Sequence, residues 1–220
     1  MKLELEFRKR YLVVGAVLLS FVMIMLSTPY ANAQNNTRGT AGIKGGLNIS
    51  NLYSDDVDDK DARLGFHGGF YGQLVSSEAF ALQAELLYST RGNEVVSDGF
   101  IDQKTRFNLN YIDLPVLAVF KLGKAFEIHA GAYAGYLVGA SIKTEGDLGD
   151  EFDELDRDNF KAFDYGLVGG VGFNFGSAQV GARYNLGLQE IAETDGAQAV
   201  LGDAKNSLGQ VYLALRLNGE

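Results

Sequence analysis

Two acidic segments are the first candidates for chemistry in this chain of 220 residues. Carboxylate oxygens suit hard cations such as Ca²⁺ and Mg²⁺, so weak cation binding is one interpretation. Neither segment has the D-x-D-x-D-G spacing of an EF-hand loop. The simpler interpretation is that both segments are solvated acidic surface. No confident metal site and no cofactor are predicted. The candidate ligands are Asp55, Asp56, Asp58, Asp59, Asp150, Glu151, Asp153 and Glu154.

Catalytic chemistry is not predicted. The only histidines, His67 and His129, fall near opposite ends of two predicted strands, so they cannot share a metal or a catalytic triad. The chain has no Cys and no G-x-S-x-G motif around a nucleophilic serine. The glycine-rich run 166–172 lacks the Lys-Ser/Thr ending of a P-loop. We therefore expect both histidines to be hydrogen-bonding residues of an interior.

A third set of charged residues recurs on one face of alternating segments. It contains four cations and four anions, separated by Asn, Gln, Ser and Tyr. Such a balanced set suits a narrow interior in which ion pairs satisfy one another. The alternative is that these charges solvate an outer surface. The members of this predicted interior network are Lys44, Glu85, Arg91, Asp113, Glu127, Asp164, Arg183 and Arg216.

The first 33 residues resemble an export signal. Basic residues up to Arg10 precede an apolar run at 11–26, and the tripeptide 31–33 reads Ala-Asn-Ala. This order is typical of a cleaved signal peptide, and 16 apolar residues fall short of the ~20 of a spanning helix. An uncleaved membrane anchor is the alternative. We assign 1–33 to a signal peptide, 34–40 to a short N-terminal segment and 41–217 to the folded domain.

The folded domain is predicted to be all-β. Apolar and polar residues alternate with a period of two, which predicts strands with one apolar face. Short connections alternate with long polar ones, as in an up-and-down, antiparallel transmembrane β-barrel with both termini in the periplasm. The eight predicted strands cover 41–52, 64–75, 80–91, 111–121, 126–143, 162–175, 178–190 and 208–217.

Aromatic residues indicate which way the apolar face points. On that face they gather near both ends of the predicted strands, with Leu, Val, Ile, Ala and Gly between them. Aromatic rings favour the two interfaces of a membrane, so the apolar face should meet lipid. An exported lipocalin-like barrel would instead turn this face inward. Eight strands enclose a space that side chains fill, so we expect no diffusion pore.

Three strand motifs resemble a known family. They are Gly42–Ser50 (GIKGGLNIS), Leu64–Phe70 (LGFHGGF) and Tyr111–Leu117 (YIDLPVL). The sequence over 41–217 is similar to the PorT-like outer membrane β-barrel family, often described as porin family and common in Bacteroidetes. The resemblance implies an outer-membrane barrel without agreed catalytic residues.

The predicted function is a structural or surface-interaction role in the outer membrane, exerted through acidic extracellular loops. Outer-membrane lipid, the barrel-assembly machinery and an unknown extracellular ligand of the loops are the expected partners. A net charge of −9 argues against nucleic acid. The alternatives are a small porin or narrow solute channel and a soluble barrel that binds an apolar ligand.

Overall fold

The computed structural model describes residues 40–53, 61–97, 103–146, 151–154, 160–192, 194 and 204–217. The predicted signal peptide lies outside these residues, and only Thr40 of the segment 34–40 is described. In the part of the chain that is described, no helix has the length and apolar character needed to cross a membrane.

The described residues form nine β-strands, eight long and one short. The short strand, β6, lies in the connection that follows β5. The strands are β1 (Ala41–Tyr53), β2 (Asp61–Ser76), β3 (Phe80–Ser97), β4 (Gln103–Leu122), β5 (Phe126–Gly146), β6 (Glu151–Glu154), β7 (Phe163–Phe175), β8 (Ala178–Glu190) and β9 (Lys205–Arg216).

The eight long strands close into an antiparallel barrel. Each of them pairs with its neighbours in the chain, β5 pairs with β7, and the β1–β9 ladder closes the circle. The predicted fold, an eight-stranded up-and-down barrel, is confirmed. Tight turns after β2, β4 and β7 lie at one end, called here the short-turn end. Gly123 and Gly176 adopt positive φ in two of these turns, which glycine does without steric cost.

At the opposite end, called here the long-connection end, the paired strands extend further than the alternation predicts. β3 and β4 continue pairing as far as Ser97 and Gln103, beyond the predicted strand limits at 91 and 111. β6, which lies between the predicted strands 126–143 and 162–175, pairs with residues 141–144 of β5. The predicted strands are therefore too short at this end. Backbone pairing needs no apolar face, so a strand that leaves the apolar band loses its period-two signal.

Burial follows the predicted alternation. In β7 and β8 nearly every second residue is buried inside the barrel, and its neighbours are exposed. The exposed residues are large and apolar, for example Leu167, Val180 and Val211. Aromatic rings pair on this outer face near both ends: Phe80 with Phe120, and Phe66 with Tyr88. The apolar face therefore points outward, opposite to a lipocalin.

Pro115 interrupts one ladder without shifting it. The sequence predicts a bulge or a gap there, because proline has no N–H to donate. Pairing of β3 with β4 stops at Ala84–Val116 and resumes at Leu87–Asp113 in the same register. The ladder therefore has a gap and no bulge, while Pro115 still lies opposite Tyr133 on the β5 side.

Candidate functional site: the barrel interior

The charged residues predicted to share an interior do face into the barrel. Seven of the eight are buried, with relative exposure of 4% or less; these are Lys44, Glu85, Arg91, Asp113, Glu127, Asp164 and Arg183. Arg216 is the exception, because it is exposed at the mouth of the short-turn end. The buried seven separate into two clusters and one carboxylate, Glu127, near that mouth.

The first cluster, called the positive cluster, consists of Lys44, Glu85 and Arg183. Lys44 Nζ donates to Glu85 Oε1 over 2.8 Å, and Arg183 Nη2 donates to Glu85 Oε2 over 2.7 Å. Lys44 Nζ also lies 3.7 Å from the centre of the Tyr212 ring. Two cations share one carboxylate, so the cluster carries one net positive charge, and the electron-rich face of the ring offsets part of it.

The bond between Glu85 and Arg183 crosses the whole barrel. Glu85 lies on β3 and Arg183 on β8, which are four places apart in the closed order of eight strands and therefore on opposite walls. A charge-assisted hydrogen bond of this length leaves no room between the two groups for a solute. The interior is occupied by side chains at this height.

Neutral amide side chains continue the hydrogen-bond network of the positive cluster to neighbouring strands. Gln210 Oε1 accepts from Arg183 Nε over 2.7 Å, and Gln210 Nε2 donates to Asn48 Oδ1 over 2.8 Å. Asn48 in turn donates to the Thr90 carbonyl oxygen over 2.8 Å. Sequence reasoning placed Asn48 and Gln210 on the polar face but gave them no role. The structure shows that they join β1, β3, β8 and β9.

The second cluster, called the negative cluster, consists of Arg91, Asp113 and Asp164. The Arg91 guanidinium donates through Nη1 to Asp164 Oδ2 over 2.6 Å and through Nη2 to Asp113 Oδ2. Its Cζ lies over the rings of Tyr111 and Tyr133, 4.8 and 5.0 Å from their centres. One cation shared by two carboxylates leaves one net negative charge. The two clusters lie at different heights, since Glu85 and Arg91 are six residues apart on β3.

A buried apolar cluster, called the apolar cap, begins beside Arg91 and continues into the connections at the long-connection end. Strands and connections both contribute to it; its members are Leu109, Tyr111, Leu137, Ala140, Phe160, Ile191, Ala192 and Ala204. Backbone bonds hold the connections in place: Lys161 N donates to the Ile191 oxygen over 2.9 Å, and Ile191 N to the Ala204 oxygen over 3.0 Å. Sequence reasoning missed this cluster, although Phe160 follows an acidic stretch closely.

Glycines make room for the large interior side chains. A Cβ on Gly166 would meet the Tyr133 ring and the Leu186 backbone, and a Cβ on Gly42 would meet the Tyr71 ring and the Leu215 backbone. In both cases the tyrosine lies directly opposite the glycine on the next strand. The sequence predicts that glycines accommodate Tyr71 and Tyr133, and these contacts confirm it.

The two histidines both border the positive cluster. His67 Nδ1 lies 2.7 Å from Asn48 Oδ1, which can only accept, so Nδ1 carries the proton. The ring of His129 lies 6.2 Å from that of Tyr212, which contacts Lys44. The sequence predicts the two histidines near opposite ends of two strands, and the structure places each beside a residue next to the positive cluster, Asn48 for His67 and Tyr212 for His129.

The acidic segments lie mainly outside the described residues. This holds for Asp55, Asp56, Asp58, Asp59 and Asp150, whereas Glu151, Asp153 and Glu154 belong to β6, of which only the backbone is described. Within the described residues, no group of three or more His, Asp or Glu side chains could hold a metal ion.

A family model described as "Outer membrane protein beta-barrel domain" matches residues 32–193. Among solved structures, the chain is similar to neisserial surface protein A, with 13% identity and a TM-score of 0.48, over 82% of this chain and 99% of that one. It is also similar to Ail, the attachment invasion locus protein of Yersinia pestis, crystallised with the heparin analogue sucrose octasulfate, with 15% identity and a TM-score of 0.46 over the same shares. OprG from Pseudomonas aeruginosa shows 15% identity and a TM-score of 0.37, over 83% of this chain and 95% of that one. No curated protein matches this chain.

Proposed function

We propose that this chain, which belongs to the outer membrane protein β-barrel domain family, acts at the cell surface as a barrel that conducts no solutes. Its role is structural or that of a surface receptor or adhesin working through the long connections. The observation that carries this proposal is the bond between Glu85 and Arg183, which joins opposite walls of the barrel. The negative cluster and the apolar cap fill the interior beyond it.

Single-channel recording tests whether the interior is closed to solutes. The purified protein, refolded and inserted into a planar lipid bilayer, is expected to give no single-channel current steps under an applied voltage. A variant with Glu85→Ala and Arg183→Ala, which removes the bond across the barrel, serves as the comparison. Discrete steps from the unaltered protein would overturn the closed interior and favour the alternative, a narrow channel.

A surface role requires the long-connection end to face outward and both termini to face the periplasm. An epitope tag inserted between Asp56 and Val57 should bind antibody on intact cells. The same tag after Glu220 should bind only after the outer membrane is permeabilised. The reverse result would contradict the orientation, and release of the protein by a carbonate wash would contradict insertion in the membrane.

Two finer assignments remain predictions. The PorT-like, Bacteroidetes-type relationship rests on the strand motifs at 42–50, 64–70 and 111–117. Weak Ca²⁺ binding by the acidic segments rests on their carboxylates, for which a calcium titration of the refolded protein, monitored by calorimetry, is the measurement. We likewise propose an extracellular ligand of the acidic segments and a contact with the barrel-assembly machinery.

A further inference from the structure

The interior opens at the short-turn end into a cavity of about 120 Å³. Its lining comes from the segment before β1 and from all the other long strands or their turns, so it is the mouth of the barrel and not a cleft in one wall. The cavity is far from the apolar cap, which lies at the other end. Any ligand of this cavity therefore arrives from the short-turn side.

Three cations line this mouth: Lys121, Lys124 and Arg216. Lys121 Nζ donates to two neutral acceptors, Ser76 Oγ over 2.7 Å and the Ser77 carbonyl oxygen over 3.0 Å. Among the described residues, none of the three cations forms an ion pair. Their charge is therefore not neutralised by direct contact, unlike that of Lys44, Arg91 and Arg183 deeper in the barrel.

One carboxylate, Glu127, forms part of the buried wall of the cavity. It lies opposite Lys121 in the β4–β5 register and accepts a hydrogen bond from Asn174 Nδ2 over 3.2 Å. Three cations and one carboxylate leave the lining with a net charge of +2. Gln179 adds an amide, whose Nε2 donates to Asn174 Oδ1 over 3.0 Å.

We propose that the mouth at the short-turn end binds a small oxyanion, of the phosphate or carboxylate class. Its charge calls for an anion, and its donors are ammonium and guanidinium groups that pair well with oxyanions. The cavity is open to solvent and is large enough to admit a phosphate or carboxylate group.

Anion titration of the refolded, full-length protein tests this site. Inorganic phosphate and acetate are added separately at constant ionic strength with chloride as the balancing anion, and binding is followed by calorimetry. Saturable binding is expected. Preference for phosphate would assign phosphate-bearing ligands, and preference for acetate would assign carboxylates; both results support the site.

Charge variants test whether the affinity for the anion follows the charge of the cavity lining. Arg216→Gln is expected to weaken binding at least about fivefold, and Glu127→Gln to strengthen it by a similar factor, since one removes an attractive and the other a repulsive charge. Lys161→Gln is the matched control, because Lys161 pairs with Glu190 at the opposite end, and it should leave binding unchanged.

Gel mobility with and without heating verifies that each variant is folded, and Lys124→Gln, in an exposed turn, replaces Arg216→Gln if that variant does not fold. The site is refuted if phosphate and acetate give no saturable binding, if Lys161→Gln weakens binding as much as Arg216→Gln, or if Glu127→Gln weakens it.

Discussion

At the scale of single residues, the interior is stabilised by charged groups that each pair with two groups of opposite charge. Glu85 is fully buried and is the only carboxylate that Lys44 and Arg183 contact among the described residues. Removing one member of a buried ion-pair group is costly, because the remaining charges stay buried without a partner. A partly exposed ion pair, such as that of Lys161 with Glu190, contributes much less to stability, because water screens it.

Glu85→Gln should therefore lower the free energy of unfolding by about 3–5 kcal/mol, because it leaves two buried cations without a counter-charge. Urea-induced unfolding of the refolded protein in lipid vesicles measures this. The matched control is Glu190→Gln, whose partner Lys161 is 28% exposed and 3.5 Å away, and it should cost at most about 1 kcal/mol. Equal losses for the two variants would contradict the role of the positive cluster.

At the scale of strands, glycines control how closely neighbouring strands approach. A Cβ on Gly131 of β5 would collide with the carbonyl oxygen of Val116 on β4. On β7, a Cβ on Gly169 would meet no atom within 4 Å, because that position faces outward. The same residue type therefore has a steric role at one position and none at the other.

Gly131→Ala should destabilise the barrel by about 1–3 kcal/mol, the usual cost of an added methyl group in a packed site, because the β4–β5 ladder must shift to admit it. Gly169→Ala provides the control and should change stability by less than about 0.5 kcal/mol, as expected of an open surface position. Urea midpoints of both variants give the comparison, and a Gly131→Ala midpoint equal to that of the unaltered protein would refute the close approach.

At the scale of the whole molecule, the barrel has an apolar outer surface between two aromatic zones. On β7 the outward aromatics Phe163 and Tyr165 lie towards one end and Phe173 and Phe175 towards the other, with Leu167 and Val171 between them. In a membrane this order places Val171 within the hydrocarbon and residues near the strand ends at the interfaces.

Val171→Arg should cost about 2–4 kcal/mol of stability in lipid vesicles, because it places a charge on the lipid-facing surface near the middle of the membrane. Leu217→Arg is the matched control at the short-turn end and should cost at most about 1 kcal/mol, since its charge reaches the headgroups. Folding titrations in vesicles measure both, and equal costs would contradict the assignment of the apolar band.

The sequence by itself determined the strand count, the alternation of short and long connections and the outward direction of the apolar face. A period of two and the positions of turn residues are local properties, so they can be read before the chain folds. The same local alternation identified the seven charged residues that are buried among those whose burial the structure describes, including Lys44 on β1 and Asp164 on β7.

Only the tertiary structure decided which of these charges meet, because tilt and register set the height of each residue and neither is encoded in a single segment. Glu85 and Arg183 are 98 residues apart, and their contact exists only because the barrel closes. The apolar cap and the cationic mouth have the same origin, since each is assembled from side chains of several strands and connections. Closure of the sheet is thus the physical step that turns eight alternating segments into one interior with two chemically different ends.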